Sequence, residues 1–337
     1  MSEPLKIVIP MAGLGTRLRP HTWSRPKQLV SLAGKSVLAH LLDTFSTLPD
    51  PDKVELIFIV GYLGEKVEKY MDEYHPEFKV RYVLQAEMRG QSHAIYLARE
   101  YLRGPMLMVF VDTLIKTDLS FLADEEADMV AWVKPVPDPR RFGVTEVGED
   151  GWVTRLIEKP KDVSNNLAVV GFYYFKDSTA LIAAIEKQME QGRQLKGEFY
   201  LADAINIMLE GGARMRTEQV QIWLDAGTAE AVLETNRYFL KQGHDNTAEV
   251  DRKGNITIIP PVFVHPTAIV ESSVIGPYAS IGANCVIKGS IIRDSILERG
   301  ARVNEIILEK SLIGENALVE GGAESLNISD NSEVKIR

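Results

Sequence analysis

From Phe263 onward, large apolar residues return at every sixth position, at Ile269, Ile275, Ile281 and Ile287. Each is followed four residues later by one of Thr267, Ser273, Ala279, Cys285 and Ile291. The step resumes in a second register at Ile307, Ile313 and Val319, with Ser311, Ala317 and Ala323 as small partners. Ordinary strands carry a period of two and do not generate a step of six. A six-residue repeat predicts a parallel β-helix, in which a large aliphatic fills the interior of a prism and a small residue fits near its corner. At the ~18 residues that three such steps require, residues 258–337 hold some four coils. Such flat-faced prisms can pack against another copy, so the segment is expected to serve assembly.

The 240 residues before it read differently. Leu5, Ile7, Val8 and Ile9 have the length of a buried strand. Ser36 can cap a helix carrying Val37, Leu38, Leu41, Leu42 and Phe45 on one face, and 54–60 reads as a strand. A helix with Val67, Tyr70, Met71 and Tyr74 follows, then a strand over 79–84, a helix over 91–102 and a strand over 106–111. This alternation predicts βαβ units and a mainly parallel sheet. Further strands are expected over 129–133, on both sides of the turn Gly148-Glu-Asp-Gly151, and over 168–175. Helices are expected over 178–191, 201–209 and 228–240. Polar, glycine-containing sequence then suggests a linker. The predicted organisation is an α/β, Rossmann-like domain over 1–240 with a mainly parallel mixed sheet, a linker over 241–257, and the β-helix over 258–337.

At 337 residues, two domains are the natural expectation. A net charge of −9 argues against nucleic acid as the main partner. Cys285 is the single cysteine, which excludes an intrachain disulfide and a cysteine-based zinc site. A strand begins within about five residues of the N-terminus, short of the ~15 to 30 residues of a signal peptide, and no apolar run approaches the ~18 needed to span a membrane. A cytoplasmic location is expected.

After the first strand comes Met11-Ala-Gly-Leu-Gly-Thr-Arg-Leu-Arg-Pro-His-Thr-Trp-Ser-Arg-Pro-Lys-Gln-Leu29. Gly13 and Gly15 allow a sharp turn with backbone N–H groups facing an anion, and Arg17, Arg19, Arg25 and Lys27 add cations, a chemistry suited to a polyphosphate. The dinucleotide fingerprint would need a third glycine at Leu18, and a Walker loop would need Gly-Lys-Ser/Thr, so neither fits.

The whole run resembles the signature loop of the sugar nucleotidylyltransferases, Gly-x-Gly-Thr-Arg-Leu-x-Pro-x-Thr-x-x-x-Pro-Lys-x-Leu, at every fixed position. The resemblance spans roughly residues 4 to 240 and is strongest to members that transfer a thymidylyl group to glucose-1-phosphate and carry an added hexapeptide domain. It implies that Gly13, Gly15 and Thr16 wrap a nucleoside triphosphate whose phosphates Arg17 and Lys27 hold. It places Gln85 and Gly90, in Leu84-Gln-Ala-Glu-Met-Arg-Gly90, at the base, with His93 left as a helix-start residue. Asp112 and Asp225 stand where the family keeps metal-binding aspartates, which implies Mg2+; Val111 departs from the glycine common before the first of them. Glu158-Lys159-Pro160 matches the sugar-phosphate motif, with Gly143 and Glu158 implied on sugar hydroxyls, Lys159 on the sugar phosphate and Val169 near the ring. The segment Gly197-Glu-Phe-Tyr-Leu-Ala-Asp203 is also similar to the family, without an assigned role.

The implied reaction is in-line attack of a sugar-1-phosphate oxygen on the α-phosphorus of dTTP or UTP, releasing pyrophosphate. Its nucleophile is already anionic, so positioning and charge neutralisation carry the catalysis. The alternatives are a silent regulatory subunit that binds sugar nucleotides, a guanylyltransferase acting on mannose-1-phosphate, and a bifunctional enzyme with acyltransferase chemistry in the β-helix, where His265 is the one histidine. Since every expected site residue precedes Gly243, a chain ending there is expected to keep nucleotidylyl transfer and to form a smaller oligomer.

Overall fold

A computed structural model of the chain describes residues 3–250, 255–321 and 323–335. The described contacts divide into two compact units, one formed by Met1–Gly13 with Leu41–Trp223 and the other by Leu14–His40 with Leu224–Arg337. The sequence predicted a boundary near residue 240. By contacts, the signature loop from Leu14 on groups with the β-helix, while Met11 to Gly13 stay with the sheet.

The first unit is built on a nine-stranded mixed sheet. Its parallel part runs Met106–Val109, Lys6–Pro10, Glu55–Val60, Val80–Leu84. Ile7, Val8, Ile9 and Leu56 to Ile59 are fully buried, as strands covered on both faces must be. Leu167–Phe175 then runs antiparallel to Met106–Val109 and continues the sheet to Gly143–Val147 and Val153–Glu158, while Met129–Pro135 and Met215–Gln219 extend it on a branch. The register of Leu167–Phe175 shifts between Val169 and Tyr173. Gly171 lies in that bulge with φ +86°, and its carbonyl accepts the Phe110 N–H at 2.9 Å. Bulges re-aim a strand, and this one fixes the chain just before Asp112.

The helices form where capping and apolar spacing predict them. Ser36 Oγ accepts from Ala39 N–H at 2.9 Å and starts α1 (Val37–Thr44). In α2 (Gly64–Tyr74), Val67 and Met71 are buried and Tyr74 is exposed. The helix expected over 91–102 is shorter: α3 is Gln91–Leu97, followed by a 3-10 turn over Arg99–Tyr101. Asp177 caps α4 (Ser178–Glu190), and α5 (Leu201–Glu210) and α6 (Ala229–Phe239) complete the set.

The second unit holds the left-handed parallel β-helix, whose three faces are five-stranded parallel sheets among the described residues. Three aliphatic ladders fill it: Ile258, Ile275, Ile292 and Leu308; Val264, Ile281, Leu297, Ile313 and Ile328; and Val270, Ile287, Val303, Val319 and Val334. Cys285, Ala301 and Ala317 are fully buried at a corner. Ile275, Ile281, Ile287, Ile313 and Val319 therefore occupy the interior the period predicted.

Phe263, Ile269 and Ile307 do not, and Ile269 and Ile307 are 52% and 39% exposed. The reason is coil length. Thr257 pairs with Val274, Val274 with Ile291, Ile291 with Ile307 and Ile307 with Ala323, steps of 17, 17, 16 and 16 residues. Each coil loses one or two residues at a corner, which throws strict sixfold counting off by one and makes room for five rungs in place of four. The Ala323 side chain lies outside the described residues.

Part of the expected linker is also structured. Asn246 accepts from Val264 N–H at 2.8 Å and donates to its carbonyl at 2.9 Å, while Asp245 Oδ1 accepts from Val262 N–H at 3.0 Å. These side chains satisfy the open edge of the first rung. Linker residues 251–254 lie outside the described residues.

Candidate active site

In the first unit, the expected base-reading and sugar-binding residues are joined by one short segment. Gln85 follows Val80–Leu84, is buried, and donates its amide N–H to the Gly90 carbonyl at 3.3 Å, with His93 Nδ1 at 3.5 Å. Burial, then the nearby Arg89 guanidinium, holds His93 below the usual imidazole range. Gly90 has φ +95°, and a methyl group there would come within 2.5 Å of the Phe199 carbonyl oxygen. Only glycine lets the Phe199 backbone lie against this loop. That backbone is tied in by hydrogen bonds from Phe199 N–H to the Arg89 carbonyl and from Ser92 N–H to the Phe199 carbonyl.

The next residue, Tyr200, belongs to the sugar side. Its hydroxyl accepts from Lys159 Nζ at 2.9 Å, and the ammonium lies 4.6 Å from the ring centroid. The Tyr200 hydroxyl, with Glu158 and Glu198 nearby, pushes the Lys159 ammonium above its ordinary value, so it stays charged. Glu158 Oε1 is 3.8 Å from Lys159 Nζ. Burial pushes the Glu158 carboxyl up, Lys159 opposes this, and Asp203 and Glu198 reinforce it. A methyl group at Gly143 would stand 3.0 Å from Val169 Cγ2 and 3.2 Å from Glu158 Oε2, so these three residues face one small space that a side chain would fill. Gly143, Glu158, Lys159 and Val169 thus lie close together. The Tyr200 contact was not expected, although its segment had been noted; the geometry gives that segment a role in holding Lys159 and closing on Gly90.

Asp112 is placed separately, just past the Met106–Val109 strand and half-buried, by the Phe110 to Gly171 bond and by Thr113 N–H donating to the Phe110 carbonyl. Val111 is 1% exposed. Its bulk is spent inside the protein rather than beside the aspartate.

In the second unit, the loop folds back on itself. Gly15 has φ +61°, its carbonyl accepts from Thr22 Oγ1 at 2.9 Å, and a methyl group there would be 3.3 Å from Lys27 Cβ. The loop's beginning and its lysine are therefore neighbours, with Thr16 and Arg17 exposed between them. Arg17 reaches the turn after Trp223–Asp225: a methyl group at Gly227 would stand 2.7 Å from Arg17 Nη2 and 3.0 Å from Asp225 Oδ1. Gly227 N–H donates to Asp225 Oδ1 at 2.8 Å, and Thr235 Oγ1 from α6 donates to the Asp225 carbonyl at 2.8 Å. Gly227 was not singled out from the sequence, yet it is what lets the guanidinium approach this carboxylate. Arg25 departs from its expected place among the phosphate cations. It pairs with Glu298 of the β-helix at 2.5 Å and is only 20% exposed.

Gly13, exposed, ends the first of the chain segments in the sheet unit. Among the described residues, no group of three or more His, Cys, Asp or Glu side chains is gathered for a metal ion. The described residues also contain no helix long and apolar enough to cross a membrane.

The family model for nucleotidyl transferases matches residues 6–242. A glucose-1-phosphate thymidylyltransferase of Streptomyces griseus is 27% identical over 98% of this chain and 99% of its own length. The low-salt glycan biosynthesis nucleotidyltransferase Agl11 of Haloferax volcanii is 30% identical over 98% of this chain and 100% of its own. A solved UDP-glucose pyrophosphorylase complexed with UDP-glucose shares the fold with a TM-score of 0.59 at 19% identity, covering 71% of this chain and 99% of that one. On the span of the family match and the two full-length relatives, the chain belongs to the nucleotidyl transferase family.

Proposed function

We propose that this chain transfers a nucleotidyl group from dTTP or UTP to a sugar-1-phosphate, with glucose-1-phosphate as the expected acceptor, and releases pyrophosphate. The observation that carries the sugar-phosphate half is the space at Gly143, bordered by the half-buried carboxylate of Glu158 and the side chain of Val169, with the Lys159 ammonium held beside that carboxylate by Tyr200. A carboxylate accepts from sugar hydroxyls and a fixed ammonium binds a phosphate, so one small space offers both ends of a sugar-1-phosphate their partners. The triphosphate half rests on Arg17 and Lys27, brought by one folded loop to the neighbourhood of Gly15 and Asp225.

The residues fit Mg2+ as the ion. It is bound through one or two carboxylates with phosphate oxygens and water completing its shell, and aspartate oxygens are the hard ligands it takes. Asp112 and Asp225 would hold it. Bound there, Mg2+ would neutralise charge on the phosphate oxygens. The protein's own part is to orient the two phosphates and supply fixed positive charge, since the attacking oxygen needs no base. A cytoplasmic homo-oligomer assembled through the β-helix belongs to the same reading.

The test is pyrophosphate release measured across four nucleoside triphosphates and a panel of sugar-1-phosphates. Turnover with dTTP or UTP and glucose-1-phosphate is expected. Absence of turnover with every pair would replace this reading by that of a silent subunit.

A further inference from the structure

One face of the β-helix is turned toward the signature loop and α6. Phe263, Ser280, Ile296, Leu312 and Asn327 form an outward column on it, each alternating with an interior aliphatic. An outward column should be solvated, yet Ile296 and Leu312 are only 1% and 5% exposed. The face is covered. Phe263 lies where a Cβ at Gly34 would be 2.3 Å from its ring, Ser280 Oγ donates to Asn236 Oδ1 at 2.7 Å, and Ser329 Oγ donates to the Pro20 carbonyl at 2.9 Å. His21 hydrogen-bonds Asn327, and Ser24 hydrogen-bonds Asp330.

Glu298 stands in the middle of these contacts. Its backbone N–H is fixed in the ladder, donating to the Ile313 carbonyl at 2.9 Å, and its side chain is 8% exposed. Oε1 accepts from Ser31 N–H at 2.8 Å, and Oε2 accepts from Ser31 Oγ at 2.7 Å and lies 2.5 Å from Arg25 Nη1. The Arg25 approach is oblique, an ion pair more than a directed hydrogen bond. Burial works against the guanidinium charge, but Glu298, then Glu315 and Asp330, more than offset it and hold Arg25 above its ordinary value. A single carboxylate therefore grips the loop on both sides of Pro26-Lys27. Apolar residues could have closed this contact with less desolvation; a charged grip adds a defined position for the lysine between its two anchors.

We propose that Glu298 is a positioning residue for nucleotidylyl transfer: by holding Arg25 and Ser31 it fixes where Lys27 meets the triphosphate, so the β-helix is part of the catalytic apparatus. This deepens the reaction proposed above and rests on it. The test compares the full-length chain with Glu298→Gln, which keeps a carbonyl acceptor for Ser31 but not the charge for Arg25, and with Glu298→Ala. A comparator is Asp294→Asn, which breaks a similar ion pair between Arg237 of α6 and the β-helix without touching the loop. Steady-state kinetics are measured together with amide hydrogen exchange of the substrate-free protein.

The expected result is a triphosphate KM that rises in the order wild type, Gln, Ala, with kcat/KM lowered on the order of 10²-fold in the alanine variant, as small misplacements of a binding group commonly cause. The sugar-1-phosphate KM should stay in place, exchange should quicken within residues 18–31 only, and Asp294→Asn should leave the triphosphate KM unchanged. If Glu298→Ala does not fold, the isosteric Gln variant carries the comparison. Wild-type kinetics in the folded variants would overturn the proposal, as would faster exchange of the loop with no kinetic change, or equal rises in both KM values with exchange quickened along the whole chain. Lack of turnover by the wild-type chain would defeat the reaction itself, and the exchange data would still decide whether Glu298 seats the loop.

Discussion

The two lysines assigned to phosphates are held in opposite ways. Lys159 is set by Tyr200 and Glu158, all within the sheet unit, at the end of a hairpin whose strands are contiguous in sequence. Lys27 opens the second of two short 3-10 turns, Thr16–Leu18 and Lys27–Leu29, and the groups that fix its flanks, Glu298, Asn327 and Asp330, lie in the β-helix some three hundred residues later. A hairpin with its own hydrogen bonds can present a side chain unaided. A loop of this length, without a ladder of its own, takes its shape from what it is pressed against. On the proposed reaction, the β-helix would serve the lysine of the triphosphate loop, while the sheet unit carries the residues expected at the base and the sugar.

The largest effect should come from Asp225 and Asp112, the carboxylates proposed to hold Mg2+. Asp225→Asn and Asp112→Asn each replace a charge by an amide of similar size, and turnover should fall on the order of 10² to 10³-fold, the usual cost of one lost electrostatic contact in a transition state. Initial rates at saturating Mg2+ check this. Near-normal rates for Asp112→Asn would remove Asp112 from the proposed metal ligands.

Next comes deletion of the β-helix. Read from the sequence, a chain ending near Gly243 keeps its activity; the contacts of Glu298, Asn327 and Asp330 with the loop revise that expectation. A truncate that stays folded by circular dichroism should lose on the order of 10²-fold in kcat/KM for the triphosphate, because Lys27 loses both flanking anchors. Light scattering on the same sample tests assembly, for which the face turned to the loop is already occupied. Full activity would dissolve the contrast between the two lysines, and an unchanged oligomer would remove the assembly role.

On the sugar side, Lys159→Ala should raise the sugar-1-phosphate KM by about tenfold or more, since a hydrogen bond to a charged group contributes ~1.5 to 3 kcal/mol, with the triphosphate KM little changed. Tyr200→Phe removes only the hydroxyl that orients the ammonium and keeps the ring beneath it, so a smaller rise, by a few-fold, is expected for a neutral partner worth about 1 kcal/mol. Equal weakening of both substrates in either variant would indicate general damage to the pocket.

What could be read from the sequence follows from how local each feature is. The alternation of strands and helices, the Ser36 cap and the interior places of Ile275, Ile281 and Ile287 are set by neighbouring residues and were legible. The misplaced Phe263, Ile269 and Ile307 show the limit of counting by six, because corner lengths of a coil can vary while the ladder stays in register. Tyr200 lay in a segment already noted, but nothing nearby said that its hydroxyl would meet Lys159. Arg25 looked like one more phosphate cation, and only a contact spanning 273 positions, to Glu298, shows otherwise. Glu298, for its part, sits in Leu297-Glu-Arg-Gly300, which reads as an ordinary coil corner.

The smallest effect concerns Glu158, and it separates the cost of the sugar pocket from its use. Folding takes this carboxyl out of water, beside Asp203 and Glu198, and raises its pKa above the ordinary 4.5 despite Lys159. The folded chain thus binds that proton more tightly than the unfolded chain. Its contribution to stability is fully present below the unfolded value and is lost as pH rises through the higher, folded value, so at neutral pH the ionised carboxylate is a net cost to folding. Glu158→Gln removes the charge and keeps the shape. Thermal melts should show the variant more stable than the wild type near pH 7.5, with the difference shrinking as pH falls toward 4, while sugar-1-phosphate binding weakens at every pH. Glu158 would then be a residue kept for its ligand at the expense of the fold, as an ionised group beside Lys159 with no sugar present would be. A variant less stable at neutral pH would mean that the ion pair with Lys159 outweighs desolvation, and the sugar side would then hold its lysine by charge much as the β-helix holds Arg25.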